Sequence, residues 1–186
     1  MDETTARRLA SIQRLATRMD ELLNALLYYS RLGRTDLHRE EIDLSAAAAR
    51  ALEVAGPRLE RAAVEVTVTS AATVRADPVL FDELLINLLV NAAKYAREEG
   101  ARTVEVGTAI TEGQPAVFVR DNGIGMPEHL REQAFELFRR LHPRVAGVDG
   151  SGAGLAIVRR IAERHGGRAW AAESPGGGTT IWVVLP

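Results

Sequence analysis

Residues able to do chemistry are spaced most tellingly along the segment 78–97. There Glu83, Asn87, Asn91, Lys94 and Tyr95 follow one another at intervals of four, four, three and one. This spacing places them along one face of a helix. Leu84, Leu85, Leu88, Leu89 and Ala92 fill the rest of its surface. Asparagine lowers helix propensity, and a buried amide without a partner costs more. Two readings fit: a solvent-facing polar stripe, or amide oxygens for a Mg²⁺ ion that keeps several waters and gathers phosphates. Of the 23 basic residues only Lys94 is a lysine, a compact point charge in a chain otherwise served by arginine.

The stretch "VFVRDNGIGM" ends an apolar run on Asp121, followed by Gly123 and Gly125 with Ile124 between them. An ordinary Asp-Asn-Gly turn fits. So does a strand-end carboxylate that accepts the exocyclic amine hydrogen bond of adenine, with glycines that let the backbone approach the ring. Further on, "PEHLREQAFELFRRL" carries Phe135 and Phe138 three residues apart. The pair suits core packing or the hinge of a flap over a ligand.

In "GVDGSGAGLAIVRRI", Gly150, Gly152 and Gly154 alternate just ahead of an apolar run at helical spacing. A dinucleotide fingerprint needs a strand immediately upstream and G-x-G-x-x-G spacing. Here a polar loop precedes and the spacing is G-x-G-x-G. A P-loop needs a lysine after its last glycine, and none follows. The stretch fits a flexible loop or a nest of backbone N–H groups entering a helix N-terminus, which holds anions.

The elements that must position these residues follow from periodicity. Residues 3–32 lack Gly and Pro, and Leu9, Ile12, Ala16, Met19, Leu23, Leu26 and Ser30 alternate spacings of three and four. That is a coiled-coil seam, widened by Leu15, Leu22 and Tyr29. Gly33 and a charged stretch then predict a linker over 34–43. Residues 44–61 read as helix, ending near Gly56-Pro57, and "VEVTV" (64–68) reads as a strand. Asp77 as N-cap, Pro78 at the first helical position and Gly100 beyond the end frame the helix 78–97. "RTVEVGTAI" and "QPAVFVRDN" are strands around a Glu112-Gly113 turn. Residues 127–141 are helical at least in part, 142–152 form a loop, and "GLAIVRRIAERHGG" is a helix stopped at Gly166. "RAWAAES" and "TTIWVVLP" are strands joined by "PGGG".

A chain of 186 residues, 46% hydrophobic and 26% charged, is about one soluble domain with an appendage. The formal net charge of −2 offers no basic field for nucleic acid. Cysteine is absent, so disulfides and thiolate metal sites are excluded. No apolar stretch approaches the ~18 residues of a membrane span. The charged start "MDETTARRLA" has no signal-peptide core. The expected location is cytoplasmic.

Taken in order, "ELLINLLVNAAKY", "DNGIGM", "FELF" and "GSGAGLAI" resemble the N, G1, F and G2 boxes of the sensor histidine kinases, in the superfamily of gyrase, Hsp90 and MutL. The resemblance covers about residues 36–186, and "FRRLHPR" and "RIAERHGGRAW" are similar to phytochrome-type kinases. It implies an α+β fold, a two-layer α/β sandwich of the Bergerat type, with a mixed sheet under three helices and a long coiled-coil helix in front. It implies ATP and Mg²⁺. By position, Asn91 would coordinate the metal through the phosphates with Asn87 nearby, Lys94 would meet the phosphates, and Tyr95 would lie near the adenine. Asp121 would read the adenine amine, with Gly123, Ile124 and Gly125 around it. Gly150, Ser151, Gly152, Ala153, Gly154 and Leu155 would embrace the phosphates, and Thr180 would serve from the closing strand. Ala153 departs from the family's larger aliphatic residue. A lid is expected near 139–149, with Arg139, Arg140, His142 and Arg144 adding positive charge. Glu83 sits where ATPase relatives keep a water-activating base.

By the same resemblance, 1–33 is the second helix of a dimerisation hairpin and 44–186 the catalytic domain. The expected partners are a second copy through that helix, a response regulator receiver domain, and a histidine-bearing first helix missing from this chain. His38, His129, His142 and His165 read as surface or capping residues, so no acceptor histidine is evident. The implied reaction transfers the γ-phosphoryl group of Mg·ATP to a histidine. An ATPase-type clamp or an anti-sigma-type serine kinase is the alternative, and the leading helix discriminates against both.

Overall fold

The computed structural model describes residues 3–33, 36–139 and 151–186. Its elements are α1 (Glu3–Leu32), β1 (Glu40–Asp43), α2 (Leu44–Arg61), β2 (Val64–Val68), β3 (Thr73–Ala76), α3 (Pro78–Lys94), β4 (Arg102–Thr111) and β5 (Gln114–Asp121). Short 3₁₀ turns at Glu128–Leu130 and Gln133–Phe135 follow, then α4 (Gly154–Arg164), β6 (Arg168–Glu173) and β7 (Thr179–Val184). A five-stranded sheet runs in the order β2-β4-β5-β7-β6. It is mixed, because β2 and β4 pair in parallel while the other neighbours are antiparallel. Strands β1 and β3 form a separate antiparallel ribbon. The expected α+β sandwich with a leading helix is what the chain forms.

Alternation along the strands decides which face meets the helices. Val104, Val106, Val117, Val119, Ile181 and Val183 enter one core with Phe81, Leu84, Leu88 and Leu89 of α3 and Val158 and Ile161 of α4. The sheet's other face carries Phe118, Trp182 and Trp170. Phe118 and Trp182 lie 5.2 Å apart between ring centroids, and the two tryptophans 6.2 Å apart. Arg120 and Arg168 cover the two ends of this ladder, over Phe118 and Trp170. The β4–β5 turn has φ 50° at Glu112 and φ 77° at Gly113, the two positive angles of a primed hairpin turn.

Helices α2 and α3 both start on carboxylates, Asp77 being the N-cap that the sequence predicts. Asp43 accepts from Ala46 N–H at 2.8 Å and Asp77 from Leu80 N–H at 3.2 Å. Four expectations change. Helix α2 continues through Gly56-Pro57, because Pro57 is exposed and the buried Ala55 and Leu59 keep the core period. Helix α3 ends at Lys94, and Tyr95 is its C-cap at φ −108°, ψ 22°. Within the expected linker, Glu40–Asp43 is a strand whose one buried residue is Ile42. The Phe135 segment forms 3₁₀ turns rather than a helix. The loop expected over 142–152 lies outside the described residues up to 150.

Helix α1 has two apolar faces. Leu9, Ile12, Met19, Leu23 and Leu26 of the seam are 45–62% exposed. Ala25, Tyr28, Tyr29 and the buried Leu32 instead pack on the core. Tyr29 thus belongs to the inward face rather than to the seam.

His165 is also unlike the surface residue that its helix-end position suggests. It is 1% exposed. Its Nδ1 lies 2.8 Å from Ile161 O, and its Nε2 accepts from Asp77 N–H at 3.0 Å. The ring is therefore the neutral Nδ1–H tautomer. Asp77 also accepts from His38 N–H, and Arg39 donates to His165 O and Pro186 O. This corner ties the end of α4 to the start of α3. Burial chiefly, with the nearby charges of Arg39 and Arg164, lowers the His165 pKa below 6.5.

In the unfolded chain the imidazole protonates near pH 6.5, so between that value and the lower folded one the unfolded state binds more protons. Stability from this group is complete above about pH 6.5 and falls as the solution is acidified. Urea unfolding should show that slope. His165→Gln should flatten it and cost about 1–3 kcal/mol near neutral pH.

Candidate functional site

One cleft opens between α3, the end of β5, the start of β7 and the N-terminus of α4. It is lined by Asn87, Asn91, Lys94, Tyr95, Asp121, Gly125, Arg139, Ser151, Gly152, Gly154 and Leu155. Its floor is apolar, from Leu88, Ala92, Val119, Met126, Ala134 and Ile181. Apolar walls with a few fixed polar groups suit a flat, partly polar ligand.

Asp121 organises one end. Its Oδ1 accepts from Gly123 N–H at 2.8 Å and from Thr179 N–H at 3.1 Å. Among the described residues no hydrogen bond engages Oδ2, which leaves that oxygen for a donor in the cleft. Burial raises the carboxyl pKa, opposed by those two amides and by Arg97. The backbone packs closely here. A Cβ on Gly123 would stand 2.2 Å from Tyr95 O, and one on Gly178 would stand 2.2 Å from Asp121 O. Ile124 N–H donates to Tyr95 O at 3.0 Å. The glycine turn is thus bound to the C-cap of α3.

The other end is built by α3 against α4. Asn87 Nδ2 donates to Glu83 O at 2.9 Å and to Glu83 Oε1 at 3.2 Å. That fixes the amide so that Oδ1 points away from Glu83. The Cβ position on Gly154 lies 3.1 Å from Asn87 Oδ1 and 3.4 Å from Asn91 Nδ2. Both amides therefore meet the first residue of α4. That helix begins at Ala153 with no side-chain cap, so its leading N–H groups and the positive end of its dipole face the cleft. Ser151 Oγ accepts from Ala153 N–H at 3.3 Å. Lys94 Nζ lies 5.0 Å from the Tyr95 ring centroid. Among the described residues no group of three His, Cys, Asp or Glu could hold a metal ion. A cation here would need amide oxygens, ligand oxygens and water, a set that fits Mg²⁺.

Residues 76–186 match the family described as histidine kinase-, DNA gyrase B-, and HSP90-like ATPase. The chain belongs to that family. It is 36% identical over its full length to cyanobacterial phytochrome B of Nostoc sp. and spans 25% of that protein. It is 38% identical over 96% of its length to the methanogenesis regulatory histidine kinase FilI of Methanothrix harundinacea, spanning 20% of it. Full-length ShkA in complex with AMPPNP shares the fold, at TM-score 0.75 and 23% identity, over 100% of this chain and 39% of that one.

Set beside this family, most of the residues singled out in the sequence share the cleft, and some do not. Glu83 is not among the residues that line the cleft; its carboxylate accepts from Asn87 Nδ2, one turn along α3. Ile124 turns its side chain outward at 43% exposure. Ala153 is 1% exposed and belongs to the core. Thr180 is buried against Ser174, at 3.0 Å between hydroxyls. Strand alternation gives the cleft to its neighbour Thr179 instead. Gly123 shapes the turn without lining the cleft. Gly150, Arg140, His142, Arg144 and most of the expected lid lie outside the described residues. Phe135 is buried under Arg159, whereas Phe138 sits at φ 66° and is 38% exposed. Sequence reasoning missed Met126, Gly178 and Thr179. The closing "PGGG" was the available signal for the second and third.

Gly178→Ala should destabilise the fold by about 1–3 kcal/mol through its positive φ and a further clash with Asp121 O. Gly176→Ala, at φ 80° with open space around it, carries the conformational part alone. Urea unfolding should rank Gly178→Ala as the worse of the two.

Proposed function

We propose that this chain is the ATP-binding catalytic portion of a sensor histidine kinase. It would present the γ-phosphoryl group of Mg·ATP to a histidine on a dimerisation hairpin, for relay to a receiver-domain aspartate. The observation that supports this most is convergence. A carboxylate with one oxygen left to the cleft, two amide side chains and an uncapped helix N-terminus share one apolar slot. Asp121 would accept the adenine amine while the floor around Met126 and Ile181 covers the base. Asn87, Asn91 and the N-terminus of α4 form the phosphate end, assisted by Lys94.

Mg²⁺, when bound, would neutralise charge on the phosphates, held by Asn91 with Asn87 beside it. Phosphoryl transfer asks the protein for positioning and electrostatic stabilisation rather than covalent chemistry. The helix dipole and backbone N–H groups supply the latter at low cost in reorganisation. The exposed seam of α1 is the expected surface for a second copy. No helix among the described residues is long and apolar enough to cross a membrane, and a cytoplasmic setting accords with the reaction. None of the four histidines stands on α1, so this chain should bind ATP without labelling itself.

Asp121→Asn should weaken nucleotide binding by about 1.5–3 kcal/mol, the range for a hydrogen bond to a charged group. Calorimetric titration against the parent chain measures it, and equal affinities would move the base elsewhere. Incubation with γ-labelled ATP should leave no acid-labile phosphate on the chain. Recovery of labelled protein would overturn that expectation.

A further inference from the structure

Strand β5 passes into the glycine turn through a side chain. The last cross-strand pair of β4 and β5 is Val104 with Asp121, so Asn122 stands opposite Thr103. In an antiparallel pair that exchanges both hydrogen bonds, each residue donates its N–H and accepts on its carbonyl. Asn122 keeps the first half, since its N–H donates to Thr103 O at 3.3 Å. Its side chain makes the second half, because Thr103 N–H donates to Asn122 Oδ1 at 2.9 Å. Asn122 Nδ2 adds a bond to Ala101 O at 2.9 Å. The displaced carbonyl of Asn122 accepts from Arg97 Nε instead. That carbonyl and Gly123 N–H belong to one planar trans peptide, so they point in opposite directions. With the oxygen turned to Arg97, the N–H reaches Asp121 Oδ1 at 2.8 Å. Were the oxygen returned to Thr103, the same rotation would carry the N–H off Asp121.

We propose that Asn122 is a positioning residue for Asp121: its side-chain oxygen takes over a ladder bond, which frees the peptide behind it to hold the carboxylate toward the base of a bound nucleotide. Asn122 is not among the residues that line the cleft, so it acts through that peptide alone. Thr179 N–H holds the same Asp121 oxygen at 3.1 Å. A single bond lets a carboxylate pivot, whereas two donors from separate segments fix its rotamer, and the loss of Asn122 is therefore a partial loss. The inference rests on the adenine-reading role proposed above for Asp121.

Mg·ADP and Mg·IDP are the probes, because the inosine base carries a carbonyl where adenine carries its amine. By calorimetric titration the parent chain should prefer ADP by roughly tenfold or more, through the hydrogen bond to a charged acceptor. Asn122→Ala should raise the ADP Kd about fivefold and leave the IDP Kd within about twofold, so that the preference narrows. General loosening of the fold would weaken both probes alike. Asn122→Asp keeps an oxygen for Thr103 N–H and should hold the preference within about twofold of the parent chain. In an Asp121→Asn background, Asn122→Ala should cost nothing further. Asn122→Leu, of similar size without the amide, serves the same comparison if the alanine variant fails to fold. A parent chain that prefers ADP while Asn122→Ala prefers it equally overturns the positioning role alone. So do equal losses for both probes, losses that multiply in the double variant, or an Asn122→Asp chain that behaves like the alanine one. A parent chain that binds the two probes alike, or neither, overturns the adenine-reading role of Asp121 and this inference with it.

Discussion

The paired acceptance of Gly123 N–H and Thr179 N–H by one oxygen of Asp121 is the constraint on which the cleft depends. It joins the end of β5, the glycine turn and the start of β7 at a single atom. Those two donors are backbone groups, so they cannot swing away, and the carboxylate is held in one rotamer. The second oxygen is left facing the cleft as a consequence. Burial opposes ionisation of this group, and the two amides offset part of that penalty. A carboxylate so balanced is a strong acceptor for a donor that arrives within the same low-dielectric slot.

The opposite end uses partial charges instead. Helix α4 starts without a side-chain cap, an arrangement that leaves stability unclaimed in an ordinary helix. Here Asn87 and Asn91 of α3 stand against its first residue, and Gly154 keeps the helices close enough for that contact. An anion at this point would satisfy donors that the fold itself leaves over. The buried corner of Asp77 and His165 fixes the far ends of the same two helices. Their relative placement is thus set at one end by hydrogen bonds through Asp77 and His165 and at the other by the two asparagines against Gly154.

Much of this was legible from residue types. Asp77-Pro78 and Gly166 marked the ends of α3 and α4 because caps act through local chemistry. The Asn87–Asn91 interval fixed a shared face because helix geometry is rigid. Positions decided by tertiary packing were less accessible. Nothing local to "ERHGG" announces that His165 is buried, since its partner Asp77 lies 88 residues away. Strands β1 and β3 have four residues each, too short for alternation to distinguish them from loop. The exchange of Thr179 for Thr180 is a one-residue shift, and strand pleating converts such a shift into the opposite face. Glu83 shared its face with the cleft asparagines, and its bond to Asn87 along the same helix depends on a side-chain rotamer that residue spacing does not specify.

The aromatic ladder on the outer face of the sheet has a practical consequence. Trp170 and Trp182 are the chain's two indoles, cross-strand partners in one register pair and separated from the cleft by the thickness of the sheet. Intrinsic emission from this protein is therefore a gauge of β6–β7 integrity. Occupancy of the slot beneath the helices would pass unseen in that signal, and following it optically would require a chromophore placed elsewhere.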